Sequence, residues 1–239
     1  MEGNYNKKRK LMMEGTIMCG RFSLFESIDS LQEQFNFEYF GDLEPRYNIA
    51  PGQDIFTVFH NGEGREGVKM RWGFIPFWAE EEKIGYKMIN ARAETVDEKA
   101  SFKNALKKRR CLILTDGFYE WKKEGSQKQP YRFGMKGKKP FALAGLWENW
   151  SKNGKNITSC TIITTTPNDV TRNVHDRMPV ILPEDRLDMW LDRSMKETNE
   201  LKKLLVPYQA ELMEGYEVST AINSAKNEGE DLILPLNSL

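Results

Sequence analysis

Apolar positions along the chain alternate between helical and strand-like spacing. Apolar residues three to four positions apart follow Ser27, and this pattern predicts a helix over residues 27–37 with a serine N-cap. Residues 53–60 and 66–72 alternate around an Asn-Gly-Glu-Gly turn, which predicts a β-hairpin. Helix and strand signals are therefore mixed from the start of the chain.

The later segments are mostly strand-like. The capping-box pattern at 95–98 predicts a basic helix that ends near Lys108. Strands are predicted at 110–121, 130–135, 140–148, 157–166 and 216–219, and helices at 183–192 and 196–205. Because the strands come in runs rather than in regular βαβ alternation, we predict one α+β domain over residues 18–239. Its core should be a mainly antiparallel, barrel-like or open sheet with flanking helices.

Composition agrees with a soluble, cytoplasmic globule. Hydrophobic residues make up 39% of the chain and charged residues 29%, enough for a core and unlike a disordered chain. No apolar run approaches the roughly 20 residues that cross a bilayer, and the first residues lack the apolar centre of a signal peptide. We expect a monomer without a membrane partner, associated with the nucleoid when it is bound to DNA.

The charge is balanced, with 35 basic and 35 acidic residues. Residues 1–17 hold four basic and two acidic residues, which leaves 31 and 33 for the rest, a charge of −2. A duplex-binding domain usually has a basic excess. Any nucleic-acid site must therefore be a local cluster of residues.

The cysteines do not form a framework. Cys19, Cys111 and Cys160 are an odd number at wide spacing, which argues against disulfides and against a metal site, and we predict no metal and no cofactor. Cys111 and Cys160 lie in apolar runs and are predicted in core strands. Cys19 stands apart, and from the residues alone it is equally a buried strand residue or a reactive one.

Six segments are richer in glycine, proline, arginine and aromatic residues than turns require. They are Met18-Cys-Gly-Arg-Phe22, Pro45-Arg-Tyr-Asn-Ile-Ala-Pro-Gly52, Trp72-Gly-Phe-Ile-Pro-Phe-Trp78, Asn90-Ala-Arg-Ala-Glu-Thr95, Gly117-Phe-Tyr-Glu-Trp121 and His175-Asp-Arg-Met-Pro179. In this order, from Met18 almost to the C-terminus, they resemble the SRAP family, named for its association with the SOS response and once assigned as peptidases. The resemblance implies an enzyme that forms a covalent crosslink, with lyase-like chemistry, to abasic sites in single-stranded DNA.

Cys19 has the chemistry for such a crosslink if its α-amine is free. A 1,2-aminothiol attacks an aldehyde first through nitrogen, giving an imine, and then through sulfur, closing a five-membered thiazolidine. An α-amino pKa of about 7.7 to 8.0 leaves a useful neutral fraction at cellular pH, unlike that of a lysine near 10.4. The resemblance supplies the aldehyde, which is the ring-opened sugar of the abasic site.

The resemblance also implies catalytic roles for three further residues. Glu120 lies among aromatic residues that would disfavour its ionised form, although strand alternation alone would turn it outward to solvent. His175 sits in a polar turn, where a histidine bonded to the backbone is the ordinary outcome. Asn90 could be a loop cap or could hold a sugar hydroxyl and orient an imine. The family pattern assigns proton transfer to Glu120 and His175 and positioning of the sugar to Asn90.

A second set of residues is predicted to bind DNA. Three arginines occur within two residues of the proposed catalytic residues, where phosphate contact competes with the usual solvated surface position. One tryptophan is predicted to stack on or wedge beside bases, with an asparagine and a proline nearby in the pattern. These residues are Arg21, Arg92, Arg177, Trp72, Asn48 and Pro51.

Seventeen residues precede Met18, whereas the family pattern places the cysteine directly after the initiator methionine. As the chain is written, Cys19 has no free amine. Residues 1–17 are polar and basic without apolar periodicity, so we predict a leader that is disordered or not translated. Proteolytic removal, or retention as a basic DNA-binding arm, are the alternatives.

Two other functions fit the same residues. Cys19, His175 and Glu120 could be the nucleophile, base and orienting group of a thiol peptidase or amidase. The arginines and Trp72 could instead form a non-catalytic reader of single-stranded DNA. A peptidase would turn over without leaving an adduct, and a reader would survive the loss of Cys19.

Overall fold

The computed structural model describes residues 19–236. The predicted leader at 1–17 lies outside them. Thirteen strands and four short α-helices make up the described part, an α+β domain with mainly antiparallel strands, as predicted. The strands are β1 (Phe22–Leu24), β2 (Arg46–Ile49), β3 (Asp54–His60), β4 (Arg65–Trp72), β5 (Asn90–Arg92), β6 (Arg110–Thr115), β7 (Gly117–Glu124), β8 (Gln127–Met135), β9 (Phe141–Lys152), β10 (Lys155–Thr165), β11 (Met178–Pro179), β12 (Ile181–Leu182) and β13 (Met213–Glu217). The helices are α1 (Ile28–Phe35), α2 (Lys103–Lys108), α3 (Leu187–Leu191) and α4 (Thr198–Lys203), with 3₁₀ turns at Glu82–Lys87, Glu184–Arg186, Ala210–Leu212, Thr220–Asn223 and Glu230–Ile233.

Five strands close into a barrel. The hydrogen-bonded order β10-β4-β3-β6-β9 returns to β10 through the β9–β10 pairing, so no edge is left open in this ring. β4 and β5 run parallel to β10, and the other pairings of this sheet are antiparallel. The predicted hairpin is confirmed as β3 and β4, which pair from Asp54–Arg71 to His60–Arg65.

A second, five-stranded antiparallel sheet lies beside the barrel in the order β13-β8-β7-β1-β2. The predicted strand at 110–121 is in fact two strands, one in each sheet, separated at Asp116. The Asp116 carboxylate accepts hydrogen bonds from the backbone N–H groups of Phe25 and Glu26. This contact ties the crossing point to the chain that follows β1.

Both the barrel and the second sheet contribute buried side chains to the core. Cys111 and Cys160 are completely buried in β6 and β10, which confirms their prediction as core residues. The N-cap of α1 is also confirmed, since the Ser27 hydroxyl accepts a hydrogen bond from the Ser30 N–H. None of the helices within residues 19–236 combines the length and the apolar character needed to span a membrane.

The predicted helix from 95 to 108 is wrong in its first half. Only residues 103–108 are helical, and isolated turns precede them. Val96 and Phe102 are both buried in the core. Six residues apart, they would lie about 120° apart around one helix, so a single helix would need an unusually wide apolar face to bury both.

Candidate functional site

Cys19 lies just before β1 and is 3% exposed. Its backbone nitrogen donates a hydrogen bond to Glu120 Oε1 at 2.8 Å. Its φ is +43°, in the left-handed region that residues other than glycine rarely adopt. Such a conformation persists where the surroundings hold it, and it is often found at functional sites.

Glu120 lies on β7 and is 1% exposed, so alternation along this strand does not turn it to solvent. Both faces of β7 are covered here. Phe118 packs into the main core, while Tyr119 packs on the other side against a separate cluster of C-terminal residues. Burial raises the pKa of Glu120 to about 8, against the lowering effect of its hydrogen bonds from Cys19.

His175 approaches the second oxygen of the same carboxylate. Its Nε2 is 4.0 Å from Glu120 Oε2, a buried oxygen with no hydrogen-bond partner among the described residues. Its Nδ1 accepts a hydrogen bond from the Arg177 N–H at 3.1 Å, which leaves the ring proton of the neutral form on Nε2, facing Glu120. The exposed Asp176 carboxylate, 3.1 Å from Nδ1, therefore bonds to the ring only when His175 is charged.

Burial lowers the pKa of His175, which favours the neutral imidazole, and Asp176 opposes this shift. The pKa of the Cys19 thiol is raised well above its usual value by burial and by the neighbouring Glu120 carboxylate. The site thus keeps sulfur protonated and imidazole neutral, the reverse of a thiolate–imidazolium pair.

Asn90 reaches this region through β5. It is half-buried and pairs in register with Ile162 of β10. Two residues further along, Arg92 pairs with Thr164, whose carbonyl oxygen accepts a hydrogen bond from Arg177 Nη2 at 2.6 Å. The strand of Asn90 and the loop of His175 therefore meet at the end of β10.

The three arginines differ in their surroundings. Arg177 is 8% exposed and forms a bidentate pair with Glu94, at 2.6 and 2.9 Å. Arg21 donates from Nη1 to Asn48 Oδ1 and to the Ile222 carbonyl oxygen. Arg92 is exposed and makes no side-chain hydrogen bond or ion pair to another described residue. Of the three side chains, only that of Arg92 is exposed.

Two residues predicted to bind DNA are completely buried. Trp72 donates from Nε1 to the Ile89 carbonyl oxygen at 2.9 Å, and its ring lies 5.2 Å from that of Phe22. Asn48 is saturated by internal hydrogen bonds. Neither side chain can touch a base or a phosphate in this conformation. Pro51 is half-buried in the turn between β2 and β3 and remains accessible.

The loop that follows Trp72 carries exposed aromatic residues that the sequence analysis did not single out. Phe77 is 55% exposed and Trp78 is 45% exposed. Both belong to the same Trp-Gly-Phe-Ile-Pro-Phe-Trp segment. Their exposure could have been predicted from their position, because they come after the end of the predicted strand at residue 72 and so do not belong to its buried face.

Among residues 19–236, no three or more His, Cys, Asp or Glu side chains are grouped so that they could hold a metal ion. The site is instead a carboxylate in contact with the nitrogen of Cys19 on one side and facing an imidazole on the other.

Comparison with known proteins identifies the family of this chain. The model of the SOS response associated peptidase (SRAP) family matches residues 18–225. Abasic site processing protein YoqW of Bacillus subtilis (strain 168) is 48% identical over 221 residues, covering 90% of this chain and 99% of the relative. Abasic site processing protein YedK of Escherichia coli (strain K12) is 29% identical over 228 residues, covering 92% and 100%.

Two solved structures have a similar fold. A protein of Bacteroides thetaiotaomicron superposes with a TM-score of 0.82 at 26% identity, covering 91% of this chain and 99% of that one. A protein of Bordetella bronchiseptica gives 0.73 at 26% identity, covering 84% and 100%. With the family match extending over residues 18–225, the chain belongs to the SOS response associated peptidase (SRAP) family.

Proposed function

We propose that this protein captures abasic sites in single-stranded DNA by forming a thiazolidine between the aminothiol of an N-terminal Cys19 and the ring-opened sugar aldehyde. The observation that carries the proposal is the contact of the Cys19 nitrogen with Glu120 Oε1 at 2.8 Å. The names of the relatives YoqW and YedK, both abasic site processing proteins, support the substrate class.

The first step joins nitrogen to carbon. A free α-amine has a pKa of about 7.7 to 8.0. Burial raises the pKa of Glu120 to about 8 where the Cys19 nitrogen is an amide, so a carboxyl at this place suits proton transfer to and from a substrate held beside the amine. The neutral amine attacks the aldehyde carbon, the carbonyl oxygen takes a proton, and a carbinolamine forms. Protonation of its hydroxyl by Glu120 releases water and leaves a protonated imine, which returns its N–H proton to the Glu120 carboxylate to give the imine.

The second step joins sulfur to the same carbon. The raised pKa of the Cys19 thiol keeps its proton on sulfur until addition. As the S–C bond forms, that proton is transferred to the imine nitrogen, directly or through Glu120, and the ring closes as a secondary amine. Reversal must break two bonds, so the product is more stable than an imine alone.

His175 and Asn90 complete the site in this proposal. The Nε2–H of neutral His175 points toward the Glu120 oxygen that has no other partner among the described residues, at 4.0 Å, too far for a direct hydrogen bond. A sugar hydroxyl placed beside the two groups can bridge them with one hydrogen bond to each. His175 then moves a proton at the sugar oxygen, and Asn90 holds the opened sugar. The DNA backbone is bound by Arg92, and the bases stack on Phe77 and Trp78, with Pro51 beside them.

A thiol peptidase is the competing function for the same residues. It requires a nucleophilic thiolate, which a neighbouring imidazolium normally stabilises. Here burial and Glu120 raise the pKa of the Cys19 thiol, while burial lowers that of His175. The electrostatics therefore favour nitrogen as the first nucleophile.

The test is a denaturing gel of protein that begins at Cys19, mixed with a single-stranded oligonucleotide that carries one abasic site. We expect a heat-resistant adduct whose mass equals protein plus DNA minus one water. The same oligonucleotide without the abasic site is the control and should give no adduct. Cleavage of DNA or peptide with turnover and no adduct would instead favour the hydrolase.

A further inference from the structure

The C-terminal residues 218–233, which we call the strap, cover the outer face of the sheet that holds Glu120. Val218, Ile222 and Leu232 of the strap are buried against Tyr119, the residue before Glu120. The Tyr119 N–H in turn donates to the Arg21 carbonyl oxygen at 2.9 Å. The strap is thus packed directly behind the two chain segments that carry the reactive pair.

The Arg21 side chain fastens the Cys19 segment to the strap. Its Nη1 donates to the Ile222 carbonyl oxygen at 2.8 Å and to Asn48 Oδ1. The Asn48 amide donates two hydrogen bonds to the strap, to the Ser224 and Asn227 carbonyl oxygens at 2.9 and 2.8 Å. Since Asn48 is fully buried and both of its amide protons are used, the amide has one orientation and no donor left for another ligand.

Trp121 fastens the Glu120 segment to the same stretch. Its Nε1 donates to Asn223 Oδ1 at 2.7 Å, and the Arg21 guanidinium lies 5.9 Å from its ring centroid. The residue after Glu120 and the residue two after Cys19 are therefore held by neighbouring strap residues, 222 and 223.

The strap is also anchored beyond the residues that contact Arg21 and Trp121. Glu228 pairs with Arg46 Nε at 2.9 Å and accepts the Tyr47 N–H at 2.9 Å. At the far end, the Tyr216 hydroxyl donates to the Ile233 carbonyl oxygen at 2.9 Å. These contacts attach the strap to β2 and to Tyr216 of β13.

We infer that the strap is a positioning element that sets the distance between the Cys19 nitrogen and the Glu120 carboxylate, with Asn48 and Asn223 as its positioning residues. The consequence for crosslinking rests on the proposed function. A reacting atom displaced by about 1 Å can cost about 10²-fold in rate, so a support of this kind acts on the chemical step. Neither asparagine needs to touch DNA.

Asn223→Ala is the sharpest test, because Asn223 is exposed and the substitution removes its hydrogen bond to Trp121 without opening the core. We expect the maximal rate of crosslinking at saturating DNA to fall roughly tenfold, with an unchanged half-saturating DNA concentration. Asn48→Asp, which keeps the acceptor for Arg21 but loses the donors to the strap, should have the same signature.

Asn149→Ala is the matched control. Asn149 is likewise exposed, and its Oδ1 accepts one side-chain hydrogen bond, from Thr158 at 2.8 Å on the barrel. It should crosslink at the parent rate. If Asn223→Ala raises only the half-saturating DNA concentration, or if Asn149→Ala loses as much rate, the strap does not position the reactive pair.

A second arm needs no DNA and separates this inference from the proposed function. The pH dependence of Cys19 alkylation by iodoacetamide, followed by peptide mass, reports how closely Glu120 faces the thiol. Burial raises the pKa of that thiol most, and the nearby Glu120 carboxylate raises it further, so a Glu120 held less closely in Asn223→Ala should shift the midpoint to lower pH. An unshifted midpoint would overturn the strap's role even if the parent crosslinks, and a shifted one would support it even if the parent does not.

Discussion

Cys19 brings two reactive atoms to this site, its nitrogen and its sulfur, and both lie beside the Glu120 carboxylate. Mutation of the side chain can separate the two. The Cys19 nitrogen contacts Glu120, and the Cys19 thiol is held protonated beside the same carboxylate. Nitrogen can therefore act without sulfur, although sulfur cannot close a ring without nitrogen.

Cys19→Ala should abolish the heat-stable adduct but keep an imine that borohydride can trap, because an N-terminal alanine still offers the α-amine. The measurement compares denaturing gels with and without borohydride, using protein that begins at residue 19. The parent without borohydride is the control. A heat-stable adduct of undiminished yield from Cys19→Ala, mapped away from the N-terminus, would rule out the thiazolidine.

Glu120→Gln should change the pH dependence of stability. The pKa of Glu120 in the folded chain is about 8, above its usual 4.5, so the folded state keeps a proton that the unfolded state releases. The stabilisation is fully present below about pH 4.5 and is lost as the pH rises through 8. The melting temperature of the parent, relative to that of Glu120→Gln, should therefore fall between pH 5 and 9. A constant difference across this range would mean that Glu120 titrates normally. Both proteins should retain Met18, so that residue 19 carries an amide as in the structure.

Which individual residues face the site was only partly readable from the sequence. The aromatic neighbours of Glu120 signalled burial, although alternation alone pointed outward. Glu120 shares its face of β7 with Phe118 of the main core, and the residues that meet its carboxylate there, Cys19 and His175, come from distant segments of the chain. Trp72 and Asn48 stand in motifs that the family resemblance assigned to DNA, yet both are buried. A motif marks where the chain is constrained and does not say which way a side chain points.

At the scale of elements, local signals worked where one short pattern decides the structure. The Ser27 cap and the hairpin at 54–72 form as predicted because turn chemistry and alternation are complete within each segment. The helix at 95–108 and the strand at 110–121 failed because tertiary contacts, at Val96, Phe102 and Asp116, override local preference.

β5 and the loop that follows β10 present two arginines that should behave differently. Arg92→Ala should weaken single-stranded DNA binding and reduce the log-log salt slope by about 0.7, with no change in melting temperature, because its side chain is exposed. Arg177→Ala should instead lower the unfolding free energy by about 1–3 kcal/mol, since it removes a donor to the buried Thr164 carbonyl oxygen. Salt titrations and thermal melts of both variants decide this. An unchanged slope for Arg92→Ala would place the phosphate contacts elsewhere.

At the scale of the whole molecule, the barrel and the second sheet bring together residues that are far apart in sequence. Cys19 and Glu120 are 101 residues apart, and His175 comes from a third segment. Composition and strand order were enough to predict an α+β domain with a barrel-like or open sheet, but not to choose between the two, because closure of the ring needs the pairing of β4 with β10, which are distant in sequence.

The last prediction concerns residues 1–18 and the rest of the chain together. Protein in which Cys19 remains joined to Met18 should form no heat-stable adduct with abasic single-stranded DNA, whereas protein that begins at Cys19 should react. The nitrogen of a peptide-bonded Cys19 is an amide whose lone pair is delocalised, so it cannot form the imine. A thiol alone gives only a reversible hemithioacetal. Intact-protein mass spectrometry before and after exposure to DNA verifies which N-terminus each sample carries and which sample gains the mass of DNA. Thermal melts of both forms serve as the control for folding. If the uncleaved form gives the same stable adduct at Cys19, nitrogen is not the first nucleophile, and the thiol-based chemistry of a peptidase becomes the better account of this site.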